Sequence, residues 1–330
     1  NGECVTMENQ PSSQPPQNER EWKLIEKLLG QAQDEQRKSR RWGIFFKALT
    51  FIYLFTLLVM VIPGKTGSAV TMAEEHVGIV DVNGVIAPDQ DASADLIVTG
   101  LTRAFEAENT TAVLLKINSP GGSPVQSNQV YNAIKRLRAE YPDKKVYAAI
   151  TDVGASGAYF IASAADEIYA DPASIVGSIG VIMAGFGLEQ AADKLGVERR
   201  VLTAGENKDL MDPFSPIQPA HRKHVQTMLD DIHQQFITAV KEGRGDRLKV
   251  DSHPELFSGL FWTGERALDL GLIDGLMSPG QVIREVAGQE EMLNYSSSRS
   301  PMEEFIRRFG VSIGEGMAAQ LGLSASPVIR

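Results

Sequence analysis

From Val77 onward the chain alternates between strand-like and helix-like runs, and this alternation constrains its fold more than any other feature. The strand-like runs cover residues 77–82, 112–117, 145–150, 180–183 and 198–202. The helix-like runs between and after them cover residues 93–106, 125–141, 155–165, 187–195 and 217–243. Strands that alternate with helices typically form a parallel sheet covered by helices. The sequence therefore predicts an α/β fold with a largely parallel sheet.

A long apolar segment precedes this α/β region. The stretch over 42–63 is interrupted only by Lys47, and residues 48–62 carry no charge. A helix over 43–62 would be roughly 30 Å long, which matches the hydrocarbon core of a bilayer. The four basic residues within 37–41 would keep the N-terminal side cytoplasmic. We therefore expect a single-pass anchor in the inner membrane, with the α/β region on its outer, periplasmic side.

Two alternatives are open for this apolar segment. The first is a cleaved signal peptide with its cleavage site at Gly67-Ser68-Ala69, although the long N-terminal region is atypical of such peptides. The second is a buried core helix, which the asymmetric charge of the flanks disfavours. An uncleaved anchor is the interpretation that we favour.

The chain divides into five segments on this basis. Residues 1–41 form a cytoplasmic segment that is partly disordered, because its first part is too polar to bury a core. Residues 42–63 are the transmembrane anchor and residues 64–75 are a linker. Residues 76–286 form the α/β domain. Residues 287–330 form a linker and a helix whose role the sequence does not define.

Charge and cysteine content exclude several functions. The net charge is −10, which argues against nucleic acid as a partner, because phosphate contacts need clustered Lys and Arg. The single cysteine, Cys4, rules out an intramolecular disulfide and a cysteine-built metal site. Cys4 lies upstream of Met7, and we expect Met7 to be the natural start of the protein.

Two glycine-rich turns follow the second and third strand-like runs. Gly121 and Gly122 occupy the first turn, and Ser156 and Gly157 occupy the second. Paired glycines let backbone N–H groups approach a ligand closely, as an oxyanion hole requires. A serine at a sharp strand-to-helix turn is exposed beside free N–H groups, among them that of Gly157. The alternatives are an ordinary turn and a serine that only caps a helix.

A serine nucleophile needs a general base, and the distribution of histidines makes Lys208 the candidate. No histidine lies between His76 and His221, the stretch that holds both glycine-rich turns. The later histidines are interpreted as solvated surface residues: His221, His224, His233 and His253. A lysine replaces histidine where desolvation lowers its pKa, and Ser-Lys pairs are a known variant of the catalytic triad. The alternative for Lys208 is a solvated loop lysine.

Four motifs in this order resemble those of the signal peptide peptidase A (protease IV) family of Ser-Lys serine proteases, in its short single-unit form. The motifs are LLKINSPGGSPVQS, DVGASGAYFIASAADEIYADPASIVGSIGVI, the Gly-x-x-Lys-Asp loop and FWTGERALDLGLIDGL. The resemblance covers residues 75–285. It implies a crotonase/Clp-protease-like β-α superhelix.

The resemblance also implies roles for individual residues. The family's nucleophile falls on Ser156 and its base on Lys208, 52 residues later. Ser178 matches a serine that orients the lysine, and Gly121 or Gly122 matches an oxyanion donor. The Gly-Gly-Ser-Pro sequence of this turn departs from the pattern of many relatives, so the resemblance does not decide between the two glycines.

The resemblance further implies partners. The expected substrates are cleaved signal peptides left in the membrane, with small and apolar side chains near the scissile bond. The expected assembly is a homo-oligomeric ring whose subunits share active sites, and no metal or other cofactor is expected. Two alternatives are a crotonase-like acyl-CoA enzyme and a non-catalytic membrane scaffold with a protease-like fold. A Clp-like triad needs a histidine soon after Ser156, and this sequence has none there.

Overall fold

The structure is a computed structural model that describes residues 40–56 and 74–297. These residues fall into two units, Asn1–Ala69 and Val70–Arg330. In the first unit, residues 40–56 form a helix, α1, with exposed side chains. Within the two described ranges, no helix is both long enough and apolar enough to cross a membrane.

Several expectations fall outside the described residues. They are residues 57–63 of the expected anchor, the alternative cleavage site at 67–69, the polar segment before residue 40 and the helix expected after residue 300. The anchor therefore stays a prediction.

The second unit is built on an eight-stranded, mostly parallel sheet. Its strands are β1 (His76–Asn83), β2 (Thr110–Ser119), β3 (Lys145–Ala155), β4 (Glu167–Ala170), β5 (Ile175–Gly177), β6 (Phe261–Thr263), β7 (Gly275–Leu276) and β8 (Met292–Asn294). The main path runs β6-β5-β3-β2-β1-β8, while β4 pairs with β3 and β7 pairs with β4. Only the β5–β6 pair is antiparallel among these described strands. This architecture confirms the predicted α/β class and fits a Clp-protease-like fold.

Helices connect the strands. They are α2 (Ala94–Glu106), α3 (Pro124–Glu140), α4 (Gly157–Ala162), α5 (Glu189–Lys194), α6 (Pro219–Arg244), α7 (Gly264–Asp269) and α8 (Pro279–Gln281), with 3-10 turns at Gly245–Arg247 and Pro254–Phe257 and a π-helical turn at Val282–Val286. The Ser123 hydroxyl caps α3 by accepting from the Gln126 N–H. The Gln126 side chain in turn accepts from the Ala94 N–H at 2.8 Å, so one side chain ties the first turns of α2 and α3 together.

Both faces of the central strands are buried, which explains their nearly continuous apolar sequences. Along β1, Val80 and Val82 belong to the larger core cluster, which also includes residues of α2, α3, α4 and α6. Val77 and Ile79 belong to a second cluster with residues 282 and 283. Parallel strands covered on both faces read as apolar runs rather than as alternating patterns.

A buried histidine joins the start of β1 to the segment that follows β8. The His76 Nδ1–H donates to the Glu74 carbonyl at 3.0 Å, and His76 Nε2 lies 2.9 Å from the Tyr295 hydroxyl oxygen. Nearby, the Ser296 hydroxyl donates to the Asp81 carboxylate at 3.0 Å. The segment that contains β8 is therefore attached along β1. The sequence predicted a linker and a helix over 287–330, so the strand at Met292–Asn294 differs from that prediction.

Two predicted strands are also wrong. Residues 180–183 and 198–202 have no regular structure, and the short helix α5 lies between them. Apolar side chains in this part are exposed, including Phe186 at 85% and Ile182 at 86%. Their apolar character resembled that of a buried strand, but the described residues of the same chain do not cover them.

Candidate active site

Ser156 occupies a strained turn between β3 and α4. Its backbone has φ 54° and ψ −126°, a conformation that non-glycine residues rarely adopt. Its N–H donates to the Gly177 carbonyl of the neighbouring strand β5 at 2.8 Å. The strain persists because β3, β5 and α4 fix the residues on both sides, and the serine side chain consequently lines a cavity at the end of the sheet.

The Gly121–Gly122 turn packs directly against this serine. A Cβ atom on Gly121 would lie 2.6 Å from the Gly157 nitrogen and 2.8 Å from the Ser156 Cβ. A Cβ on Gly122 would lie only 2.1 Å from the Ile86 carbonyl oxygen. The Ile86 N–H donates to the Gly121 carbonyl at 2.9 Å. Glycine is required at both positions because neighbouring backbone occupies the space of a side chain.

Two backbone N–H groups beside Ser156 are free. Among the described residues, the N–H groups of Gly122 and Gly157 donate no hydrogen bond. The Gly121 N–H, in contrast, donates to the Ser119 hydroxyl at 3.1 Å. Gly122 and Gly157 line the same cavity as Ser156. The geometry therefore favours Gly122 over Gly121 as the donor that would accompany Gly157.

The cavity that these groups line has a volume of about 120 Å³. Apolar side chains supply much of its wall, from α4, from residues 181 and 182 and from α6: Phe160, Val181, Ile182, Ile232 and Phe236. Its small volume and apolar wall suit a small or medium apolar side chain beside the reactive serine.

Ser178 lies on the neighbouring segment. It follows β5, has a positive φ of 55° and donates its N–H to the Leu260 carbonyl at 2.7 Å. Because Gly177 accepts the N–H of Ser156, Ser178 is one residue away from the backbone contact that holds Ser156. Its hydroxyl makes no hydrogen bond within the described part of the chain.

Lys208 lies on an exposed turn and does not line the cavity of Ser156. Across residues 40–56 and 74–297, its amine forms neither an ion pair nor a hydrogen bond. Its backbone N–H closes a turn by donating to the Gly205 carbonyl at 3.2 Å.

Two histidines of α6 contact the segments that carry the candidate residues, and the interpretation of both as solvated surface residues is wrong. His221 is 7% exposed, and its Nε2–H donates to the Asn207 side-chain oxygen at 3.1 Å. The Nε2–H of half-buried His233 donates to the Ile179 carbonyl at 3.1 Å. His221 lies four residues before Val225 on the buried stripe of α6, and this spacing was the signal available in the sequence.

Fold and site together define a class of protein. The fold is Clp-protease-like, and a serine in a strained strand-to-helix turn lies beside two free backbone N–H groups in an apolar cavity. This is the backbone arrangement of a serine hydrolase.

Comparisons with known proteins identify the family. The profile of Peptidase family S49 matches residues 138–293. The chain is 33% identical over 206 residues to slr0021 of Synechocystis sp., covering 62% of this chain and 71% of that protein. The chain therefore belongs to peptidase family S49.

Two further relatives are much longer than the region that matches this chain. The Na(+)/H(+) antiporter NhaA of Brucella melitensis is 49% identical over 193 residues, which are 58% of this chain but 26% of that protein. Protease 4 of Haemophilus influenzae is 29% identical over 222 residues, covering 66% of this chain and 35% of that protein. The chain thus spans only about a quarter of the first of these relatives.

Proposed function

We propose that this protein is a membrane-anchored serine endopeptidase with Ser156 as nucleophile and Lys208 as general base, and that it degrades cleaved signal peptides at the outer side of the inner membrane. The observation that carries the proposal is the strained Ser156 turn with the free N–H groups of Gly122 and Gly157 beside it. Membership of peptidase family S49 supports peptide hydrolysis over other acyl chemistry.

In the proposed reaction, uncharged Lys208 accepts the proton of the Ser156 hydroxyl as the serine oxygen attacks the peptide carbonyl. The N–H groups of Gly122 and Gly157 donate to the oxyanion that forms, and Ser178 orients the lysine amine. The lysine then protonates the leaving amine, which releases the first product. Water, activated by the same lysine, hydrolyses the acyl-enzyme and restores the serine.

The position of Lys208 supports a dyad shared between copies of the chain. Lys208 is exposed and absent from the lining of the Ser156 cavity. The segment before it exposes several large apolar side chains: Ile182, Phe186, Leu195 and Leu202. Large exposed apolar side chains concentrated in one segment of the chain are consistent with a protein interface. We therefore propose a ring oligomer in which Lys208 of one copy serves Ser156 of the next.

The proposed substrates follow from the cavity and the apolar segment over 42–63. A cavity of about 120 Å³ with apolar walls suits the small and apolar residues of signal peptides. An anchor in the same membrane would bring the site close to substrates that stay embedded there after cleavage.

The test is covalent labelling of the full-length chain in detergent or lipid. A serine-reactive acylating probe is applied to the unmodified protein, to Ser156→Ala and to Lys208→Ala, and the labelled residue is located by peptide mapping. We expect label on Ser156 that both substitutions abolish. Absence of label from a folded, assembled protein would instead favour a non-catalytic scaffold, and label that survives Lys208→Ala would exclude the dyad.

A further inference from the structure

The turn that carries Lys208 is held to the rest of the protein by a buried histidine. His221 lies on the first turn of the long helix α6 and is 7% exposed. Its Nε2–H donates to the side-chain oxygen of Asn207, the residue immediately before Lys208, at 3.1 Å. A buried imidazole has few rotamers available because its neighbours fix it, so it is a rigid point of attachment.

The other hydrogen bonds of this turn are local. The Lys208 N–H donates to Gly205, and the Leu210 N–H donates to the Asn207 carbonyl at 3.2 Å. Gly205 has a φ of +116°, which shapes the turn but does not attach it to another element. Within the part of the chain that the structure describes, the bond between His221 and Asn207 is the hydrogen bond nearest to Lys208 that reaches a separate helix. Just after the turn, Asp212 pairs with Arg199 at 3.2 Å, and the Pro213 carbonyl accepts the Leu188 N–H at 2.6 Å.

We propose that His221 is a positioning residue for the general base, acting through Asn207. The inference rests on the proposed function, because it assumes that Lys208 is the base. Its physical basis is distance: proton transfer requires the amine within hydrogen-bond reach of the serine hydroxyl. The bond to His221 holds the residue next to Lys208, whereas the contacts of Asp212 and Pro213 lie four and five residues further along the chain. Removing the bond to His221 therefore loosens the placement of the lysine amine. The role is independent of whether Lys208 serves its own copy or the next, since His221 and Lys208 lie on the same chain.

The experiment compares His221→Ala with a matched control, His224→Ala, in the full-length assembled protein. His224 lies one turn further along α6, is exposed and has no hydrogen bond within the described ranges. The measurements are kcat and KM for a peptide ester and the rate of Ser156 acylation by the probe. We expect His221→Ala to lower kcat and the acylation rate by about 10-fold to 100-fold with KM changed by less than about twofold. His224→Ala should change neither.

Two further variants separate positioning from general destabilisation. His221→Gln retains an N–H donor and should recover most of the acylation rate, whereas a purely structural defect would not depend on the donor. Asn207→Ala should reproduce the loss, and the double variant with His221→Ala should be no slower than either single variant, because both remove one contact.

The outcomes distinguish this inference from the proposed function. If Lys208→Ala abolishes acylation while His221→Ala behaves like His224→Ala, the positioning role is refuted and the dyad stands. Additive losses in the double variant, or a lack of recovery in His221→Gln, would also refute it. If Lys208→Ala retains acylation, both the dyad and the positioning role are wrong.

Discussion

At the scale of single residues, the site depends on backbone conformations that most side chains avoid. Ser156, with φ 54°, is one of three described non-glycine residues at positive φ, together with Ser178 and Met211. Two of the three therefore lie at the ends of the adjacent strands β3 and β5, where the reactive group is proposed. Non-glycine residues disfavour positive φ, so the surrounding sheet must hold these two residues in that conformation.

Replacing Ser156 by glycine should stabilise the fold while removing the nucleophile. Glycine adopts a positive φ without steric cost, and we expect a gain of about 1 kcal/mol in the free energy of unfolding. Ser156→Ala is the control, because it also lacks the hydroxyl but keeps the Cβ atom that causes the strain. Denaturant unfolding of both variants measures the difference. Equal stabilities would show that the turn is not strained.

Replacing Gly122 by alanine should disable the proposed oxyanion hole. The new Cβ would lie 2.1 Å from the Ile86 carbonyl oxygen, so the turn must shift and carry its free N–H away from Ser156. Loss of one such donor lowers kcat by about 100-fold to 1000-fold. Gly280→Ala is the control, since its Cβ would meet only the end of the Arg284 side chain at 3.4 Å. An unchanged acylation rate in Gly122→Ala would remove this glycine from the mechanism.

At the scale of helices and strands, a buried ion pair fixes α6 against the sheet. The guanidinium of Arg244, whose side chain is 1% exposed, donates to both oxygens of Asp274 at 2.6 and 3.0 Å. Asp274 also accepts the N–H of Ile168 in β4 at 2.7 Å. Helix α6, which carries His221, His233 and part of the cavity wall, is therefore held in place by this ion pair as well as by apolar packing.

Removal of Asp274 should destabilise the protein strongly. Asp274→Ala leaves the buried guanidinium uncompensated, and we expect a loss of about 3–5 kcal/mol in the free energy of unfolding. Asp269→Ala is the control, because its pair with Arg266 is exposed and should contribute at most about 1 kcal/mol. If Asp274→Ala loses no more stability than Asp269→Ala, the buried pair of Arg244 and Asp274 does not stabilise the fold as proposed.

The same pair predicts the direction of the pH dependence. Burial raises the pKa of Asp274, but hydrogen bonds and charge from Arg244 outweigh burial and leave its pKa below the ordinary value. The folded state therefore prefers the ionised form more than the unfolded state does. Its contribution is fully present above the ordinary pKa of an aspartate and is lost as pH falls through the lowered pKa. In acid, the unfolding midpoints of the native protein and Asp274→Ala should converge.

The elements that the sequence predicted well are those whose burial is complete. Strands β1, β2 and β3 are covered on both faces, so their apolar runs identify them directly. The strands β4 to β7 have only two to four residues, too few to establish a period. Residues 180–183 are also apolar, but Ile182 is exposed, because an apolar run does not specify what covers it. Residues 198–202 include Glu198, Arg199 and Arg200, so their two apolar residues were weak evidence for a strand.

For the candidate site, the local sequence predicted the glycine-rich turns. It did not predict the long-range contacts that hold neighbouring segments together. Gly121, Gly122 and Ser156 stand out because small residues cluster after strands. The contacts of His221 and His233 join positions 14 and 54 residues apart. No local pattern encodes such pairs, since they depend on how α6 crosses the end of the sheet.

At the scale of the whole molecule, the proposal of a dyad shared between copies predicts that two inactive variants complement each other. A mixture of Ser156→Ala and Lys208→Ala chains, co-folded or exchanged through subunit dissociation, should regain activity that neither variant has alone. In that mixture an intact serine of one copy meets an intact lysine of its neighbour. Peptide-ester hydrolysis by the mixed and the separate preparations measures this. If the mixture stays inactive although its subunits have exchanged, Lys208 acts within its own chain.

The contact between His76 and Tyr295 bears on how the segment between them is combined with other sequences. These residues lie near the two limits of the range 74–297, and their side chains touch at 2.9 Å. A folded segment whose first and last strands lie side by side can be inserted into a host polypeptide without separating the host's flanking segments. The match to a Brucella protein of which it covers 26% shows a sequence of this kind within a much longer chain. Gene fusion and loop insertion are thus open to this unit without redesign of its core.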